Sequence, residues 1–205
     1  MKSVKYLFLC LLFSSSCFSG NDTKNPFKKI PLNKGVKIII PVQEKDFNDS
    51  LTYSHIEIWI KSKKVYYDTS LTEYMFGEKL WPHSWKLDNG EYIVLMPIFD
   101  APDFNKLWAL YFRHGKLIQK QILPYFEDPP RDIDNDGQEE YVGIMNVTDA
   151  YENSDSCYYN PALYYEKTDA GIKLDSTLTI EMNKISWGNF YGFNSSSIVL
   201  PCPSR

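Results

Sequence analysis

Three hairpin-like segments recur along this chain, and they constrain its fold more than any other feature. Each has an apolar strand-like run, a short polar turn and a second strand-like run, and the segments begin at Ile56, Leu107 and Ala162. The chain is rich in residues that favour strands, including 15 tyrosines and 12 phenylalanines. A repeat of about 50 residues is the size of a β-propeller blade. The pattern predicts an all-β, antiparallel domain with irregular propeller-like repeats; a β-sandwich is the alternative.

The third hairpin is predicted to continue as one long strand. Ile172, Leu174, Leu178 and Ile180 alternate with polar residues, and a period of two is typical of a half-buried strand. Residues 187–193 are predicted to form a further strand. No segment has an apolar periodicity that indicates a helix.

The strongest local signal is an acidic turn, which reads Asp132-Ile133-Asp134-Asn135-Asp136-Gly137-Gln138-Glu139-Glu140. Carboxylates stand at positions 1, 3, 5 and 9, and glycine stands at position 6, where a tight turn often requires it. Calcium takes six to eight oxygen ligands, and alternate side chains of a curling loop converge on one point. The backbone carbonyl of Gln138 can add a ligand. An EF-hand is excluded because position 12 is Gly143 and the flanks are strand-like.

This turn resembles the calcium loops of FG-GAP and VCBS-type propeller repeats, which read D-x-D-x-D-G-x-x-D between two strands. The likeness covers the nine residues of the turn and the strand predicted at 141–147. It implies that Asp132, Asp134, Asp136 and Glu140 supply side-chain oxygens to Ca²⁺, with Glu140 in the place of the last aspartate. The alternative is a solvated acidic turn that is held by hydrogen bonds from its own aspartates.

Residues 1–16 are typical of a signal peptide. Two lysines near the start precede the unbroken apolar run Tyr6–Phe13. This run is too short to span a bilayer, which takes about 20 residues, but it fits the core of a signal peptide. The small residues before Cys17 resemble the lipobox of bacterial lipoproteins, although Ser14 stands where leucine is commonest. The resemblance implies lipidation of Cys17; ordinary cleavage nearby, giving a soluble secreted protein, is the alternative.

The remaining chain divides into a tether and a domain. Residues 17–34 are predicted to comprise the lipidated cysteine and a polar tether, because Phe18–Lys29 has no apolar periodicity. Residues 35–205 are predicted to form the all-β domain. Cys157 and Cys202 are predicted to form a disulfide, since exported proteins mature in an oxidising compartment.

Several classes of function are disfavoured by composition and motifs. The net charge is −4, whereas nucleic-acid binding requires a strongly basic face. The chain lacks the G-x-S-x-G, H-E-x-x-H and phosphate-loop motifs. His55, His83 and His114 are too widely spaced to indicate a zinc site. We therefore expect no catalytic residues and no enzymatic activity.

The predicted function is that of an exported, lipid-anchored protein of the cell envelope, acting as a non-enzymatic binding or inhibitory module with a structural calcium ion. Its expected partners are the membrane, through the lipid anchor, and an envelope protein or glycan, with no nucleic acid. The first alternative is a carbohydrate-binding surface lipoprotein, with Trp81 and Trp85 as a stacking platform; the competing interpretation of these rings is that they belong to the core. The second alternative is a hydrolase. The polar loop Asp149–Asn160 is a candidate binding loop.

Overall fold

A computed structural model describes residues 27–33, 35–41, 55–69, 74–76, 79–99, 105–146 and 155–203. The predicted signal peptide and Cys17 lie outside these ranges, as do residues 149–154, which are half of the candidate binding loop. The described strands are β1 (Phe27–Asn33), β2 (Val36–Pro41), β3 (Ile56–Ile60), β4 (Lys63–Asp68), β5 (His83–Lys86), β6 (Tyr92–Ile98), β7 (Lys106–Arg113), β8 (Lys116–Pro124), β9 (Glu140–Ile144), β10 (Ser156–Tyr158), β11 (Ala162–Thr168), β12 (Gly171–Leu174) and β13 (Val199–Pro201). The helix is α1 (Ser176–Trp187).

The strands form antiparallel sheets, which confirms the predicted all-β class. The first sheet has the order β1-β2-β3-β4, the second β5-β6-β7-β8 and the third β12-β11-β9. A two-stranded sheet pairs β10 with β13. The three predicted hairpins correspond to β3–β4, β7–β8 and β11–β12. Among the described residues, no helix has the length and apolar character to cross a bilayer.

The second sheet is the middle layer of the packing. Strand β6 is buried along nearly its whole length, because alternate residues enter two different cores. Val94 and Met96 pack with the isoleucines of the first sheet, whereas Ile93 and Leu95 pack with aromatic residues of the third sheet. A strand that is buried on both faces has a nearly continuous apolar sequence, as β6 does.

The boundary predicted for the tether is wrong for its last residues. Phe27–Asn33 is strand β1, the edge strand of the first sheet, and Ile30 pairs with Ile38 of β2. Ile30 and Leu32 pack against the core, while Pro31 and the three residues before Ile30 are exposed. Only two residues of β1 contact the core, and the others include two lysines and a proline. The sequence therefore shows no clear alternation of apolar and polar residues, which explains the error.

The long strand predicted over Ile172–Ile180 is also wrong, because β12 ends at Leu174 and helix α1 follows. The carboxylate of Asp175 accepts a hydrogen bond from Leu178 N at 2.9 Å, which is a typical N-cap. Gly188, with φ of 74°, ends the helix in the left-handed conformation that favours glycine. Residues 188–198 form no strand, so the strand predicted at 187–193 is wrong as well.

Helix α1 takes the place of a strand beside β11. Asn183 exchanges hydrogen bonds with the backbone of Ala162, and Thr179 Oγ1 accepts from Tyr164 N at 3.1 Å. Tyr164 O accepts from Asp175 N at 2.9 Å. The part of β11 that β12 does not reach is therefore satisfied by side chains and by the turn before the helix, as buried backbone groups require.

The structure brings the two predicted disulfide partners together. Cys157 lies on β10, and Cys202 directly follows β13. Their sulfur atoms are 2.00 Å apart and their Cα atoms 4.9 Å apart, which is within the range of disulfides. The pair ties the C-terminal segment to the β10 strand.

Candidate metal centre

The acidic turn is a loop whose two ends are joined just before β9. Arg131 N donates to Glu140 O at 3.1 Å, and Glu140 N donates to Arg131 O at 2.9 Å. Glu139 fixes the same end of the loop to the third sheet, because its carbonyl accepts from Lys167 N at 2.9 Å and its carboxylate contacts Lys167 Nζ at 2.9 Å. The loop therefore projects from a closed and anchored base.

Three predicted ligands meet in this loop. Carboxylate oxygens of Asp132, Asp134 and Asp136 lie within 4.8 Å of one another, and all three residues are exposed. Each carboxylate accepts a backbone hydrogen bond inside the loop: Asp132 from Gly137 N at 3.2 Å, Asp134 from Asp136 N at 3.2 Å, and Asp136 from Gln138 N at 2.8 Å. These bonds orient the carboxylates and are those expected of an Asx-type turn.

The loop requires two residues in the left-handed conformation. Asn135 has φ of 65° and Gly137 has φ of 92°. Asparagine tolerates this region better than most residues, and glycine adopts it without a steric penalty. A Cβ atom at Gly137 would meet no atom within 4 Å. Glycine is therefore required at this position by the backbone conformation and not by lack of space.

Glu140 differs from the three aspartates. It is 2% exposed, and its Oε2 accepts from Ile133 N at 2.8 Å. Its carboxylate is not part of the group formed by the three aspartates. Burial raises the pKa of Glu140, and the aspartate charges act in the same direction, while the hydrogen bond from Ile133 lowers it. Glu140 is thus a buried carboxylate that is bonded to the loop backbone and lies outside the three-aspartate group.

The predicted ligand Gln138 follows Gly137 at the exposed end of the loop. Its backbone N–H is bonded to Asp136, and the residue lines a polar cleft of about 550 Å³. Three carboxylates, with carbonyl and water oxygens, are the kind of donor set that a hard divalent cation prefers.

A second cleft, of about 440 Å³, lies on the other side of the loop base. Its apolar lining comes from β9, β11 and α1 and includes Val142, Tyr164 and Met182. Arg131 and the buried Glu140 supply polar groups at the loop end. Sequence reasoning missed this cleft because its walls are far apart in the chain.

The predicted aromatic platform is divided by the fold. Trp81 is 3% exposed, and its Nε1 donates to Phe126 O at 2.8 Å, so it belongs to the core. Trp85 is half-buried and lines the polar cleft. His83 lies 5.7 Å from Trp85 between ring centres, and burial, together with the charge of Lys167, lowers its pKa.

Comparison of this chain with known protein families, with curated proteins and with solved structures finds no match.

Proposed function

We propose that this chain is an exported lipoprotein whose domain is a non-enzymatic binding or inhibitory module, stabilised by a calcium ion in the Asp132–Glu140 loop. The observation that supports it most is the convergence of Asp132, Asp134 and Asp136 within 4.8 Å. Carboxylates held this close repel one another, and a cation would relieve that repulsion. The loop also has the spacing of the FG-GAP and VCBS-type calcium loops.

The arrangement of strands supports a propeller-like interpretation of the domain. The first two sheets are four-stranded antiparallel meanders, and the third pairs β9, β11 and β12 in a similar order. The acidic loop immediately precedes β9, the first strand of the third sheet. The calcium loops of the repeats that it resembles likewise lie between two strands. The three-stranded third sheet would then be an incomplete blade, with helix α1 following β12 in the chain.

The proposed calcium ion has a structural role. The loop lies between the second sheet, which ends with β8, and the third, which begins with β9. An ion that joins Asp132, Asp134 and Asp136 would hold this connection between the two sheets in one conformation. An ion that binds only the folded state at about 100 times its dissociation constant adds roughly 2.7 kcal/mol of stability.

The lipoprotein part of the proposal is tested by the mass of the processed chain. Intact-mass measurement of protein purified from envelope membranes should show acyl chains on a mature form that starts at Cys17. A Cys17→Ala variant should lose partition into the detergent phase. A mature form that starts near Gly20 and carries no acyl mass would contradict the proposal.

The binding role is tested by capture from an envelope extract. The lipidated protein should retain a specific protein, and retention should fall when chelator removes calcium. A Lys184→Ala variant, changed on the exposed side of α1, serves as the control and should retain the same protein. Turnover of a peptidoglycan or ester substrate by the purified protein would instead favour the hydrolase alternative.

Carbohydrate binding is the second candidate, and the polar cleft favours it. Trp85 lies there beside Glu139, Lys167 and Thr168, which combines an aromatic ring with groups that can bond to hydroxyls. Glycan-array binding that is lost in Trp85→Ala and kept in Trp187→Ala would support this candidate. Retention of all binding by Trp85→Ala would exclude the cleft as the glycan site.

A further inference from the structure

The first sheet has an outer face with an unusual composition. Residues 27–33, 35–41 and 55–69 contain six lysines and two acidic residues, whereas the whole chain has a net charge of −4. Alternation along the strands sends Ile38 and Ile40 of β2 and the three isoleucines of β3 into the core, whereas Ile39 is half-buried on the opposite side. The opposite side presents what we call the aromatic–lysine face, which comprises Phe27, Lys29, Lys37, Glu57, Trp59, Lys64 and Tyr67.

Strand register places these side chains in adjacent rows. Lys37 is paired with Trp59, and Trp59 with Lys64. The Lys37 ammonium lies 5.3 Å from the Trp59 ring centre, and that of Lys64 lies 4.9 Å from the ring of Tyr67. Cations above aromatic rings are stabilised by the ring quadrupole. The side chains of Lys37 and Lys64 therefore lie along the surface of the sheet, above these rings.

The face contains one acidic residue, Glu57, and its charge is balanced locally. Its carboxylate accepts from Trp59 Nε1 at 2.7 Å and contacts Lys64 Nζ at 2.8 Å. Lys29 and Lys37 form no ion pair within the described part of the chain. Tyr67 is 52% exposed and Phe27 is 41% exposed. A positive surface with exposed aromatic rings therefore remains.

We propose that the aromatic–lysine face lies against the anionic surface of the membrane that carries the lipid anchor. This inference rests on the proposed lipidation of Cys17 for its location, but the chemistry of the face is independent of it. Tyrosine and tryptophan are enriched at the headgroup level of bilayers. Lysines near an anionic leaflet each contribute attraction, which falls off within a Debye length.

The length of chain before β1 is consistent with this orientation. Cys17 precedes Phe27 by ten residues, which span at most about 36 Å when fully extended. Phe27 is both the first residue of β1 and a member of the face. A tether that ends on the face raises the effective concentration of that face at the membrane relative to the rest of the domain.

The test uses the full chain with Cys17→Ala, so that no acyl chain contributes to binding. Vesicles of equal parts phosphatidylglycerol and phosphatidylcholine should sediment this protein, whereas phosphatidylcholine vesicles should not. The Lys29→Glu, Lys37→Glu and Lys64→Glu triple variant should bind at least about 100-fold more weakly, since each lysine lost is worth roughly fivefold. Binding should also disappear at high salt.

A matched variant separates the position of the charges from their number. Lys116→Glu, Lys173→Glu and Lys184→Glu make the same change in net charge at exposed sites on other elements, and this variant should keep most of the binding. Equal loss in both triple variants would overturn the proposal. Binding to heparin with no binding to anionic vesicles would also overturn it, and would indicate an acidic glycan as the ligand.

A second measurement avoids dependence on the folding of the triple variant. Brominated anionic lipids should quench tryptophan fluorescence on binding, and Trp59→Phe should remove most of that quenching. Quenching that is unchanged in Trp59→Phe would contradict the orientation. The absence of acyl mass on the wild-type protein would contradict the lipoprotein proposal but would not change these vesicle results. Failure of the lipoprotein proposal can therefore be distinguished from failure of the membrane-binding proposal.

Discussion

Asn183 of helix α1 bonds to both backbone groups of Ala162 on β11. Its Oδ1 accepts from Ala162 N at 3.1 Å, and its Nδ2 donates to Ala162 O at 2.7 Å. The amide therefore imitates the two hydrogen bonds that a neighbouring strand residue would make. Asn183 is 1% exposed, so water cannot readily replace these bonds.

Asn183→Ala should therefore lower the free energy of unfolding by about 2–4 kcal/mol, because each buried group left unpaired costs roughly 1–3 kcal/mol. Urea denaturation monitored by circular dichroism measures this loss. Ile185→Ala, at a position that is 77% exposed on the same helix, should change stability by less than about 0.5 kcal/mol. Equal effects of the two substitutions would show that the amide does not act as a strand substitute.

Gly143 marks the tight contact between the second and third sheets. A Cβ atom there would lie 2.7 Å from Pro124 Cβ and 2.9 Å from Tyr125 O. Gly143→Ala should destabilise the protein by about 1–3 kcal/mol through overpacking. Gly137→Ala, which meets no atom but has φ of 92°, should cost about 1–2 kcal/mol through backbone strain alone. A thermal melt of Gly143→Ala that matches the wild type would refute this contact.

The disulfide closes a segment of 45 residues. In the chain-entropy model a loop of this size is worth roughly 4 kcal/mol, and measured values fall below this when native strain contributes. Cys157→Ser with Cys202→Ser should lower the free energy of unfolding by about 2–4 kcal/mol. Thiol labelling of the denatured, unreduced protein should find neither Cys157 nor Cys202 reactive; labelling of both would disprove the bond.

Glu140 should make the calcium-free protein less stable as the pH rises. Burial raises its folded-state pKa above the ordinary value of 4.5, so the folded state binds this proton more tightly than the unfolded state. The stabilising contribution is therefore complete below pH 4.5 and is lost as the pH rises through the folded-state pKa. Glu140→Gln should remove this part of the slope when stability is measured in chelator between pH 4 and 7. A variant with the same slope as the wild type would show that Glu140 does not cause it.

The sequence was most informative where neighbouring residues determine the structure. The β3–β4 and β7–β8 hairpins and the convergence of the loop aspartates follow from local spacing. Helix α1 was missed because Leu178 and Ile180 continue the alternation of β12. The N-cap Asp175 and the terminating Gly188 were the signals that could have identified it.

Features that depend on packing between distant segments were not accessible from local patterns. Trp81 and Trp85 belong to one short aromatic cluster in the sequence. Trp81 lies in the core, where it bonds to the distant Phe126, whereas Trp85 lines the polar cleft. The burial of Glu140 likewise depends on packing and not on the ligand pattern. That pattern cannot distinguish a carboxylate that joins the three aspartates from one that is buried and bonded to the loop backbone.

The most direct test of the central claim is the melting temperature of the purified protein with calcium and with chelator. We expect chelator to lower it by about 5–10 °C, because roughly 2.7 kcal/mol of binding energy is lost from a domain of this size. Asp134→Asn should remove that sensitivity, whereas Asp169→Asn, in the turn between β11 and β12, should retain it. An unchanged melting temperature in chelator, with no calcium retained after dialysis, would contradict the calcium site.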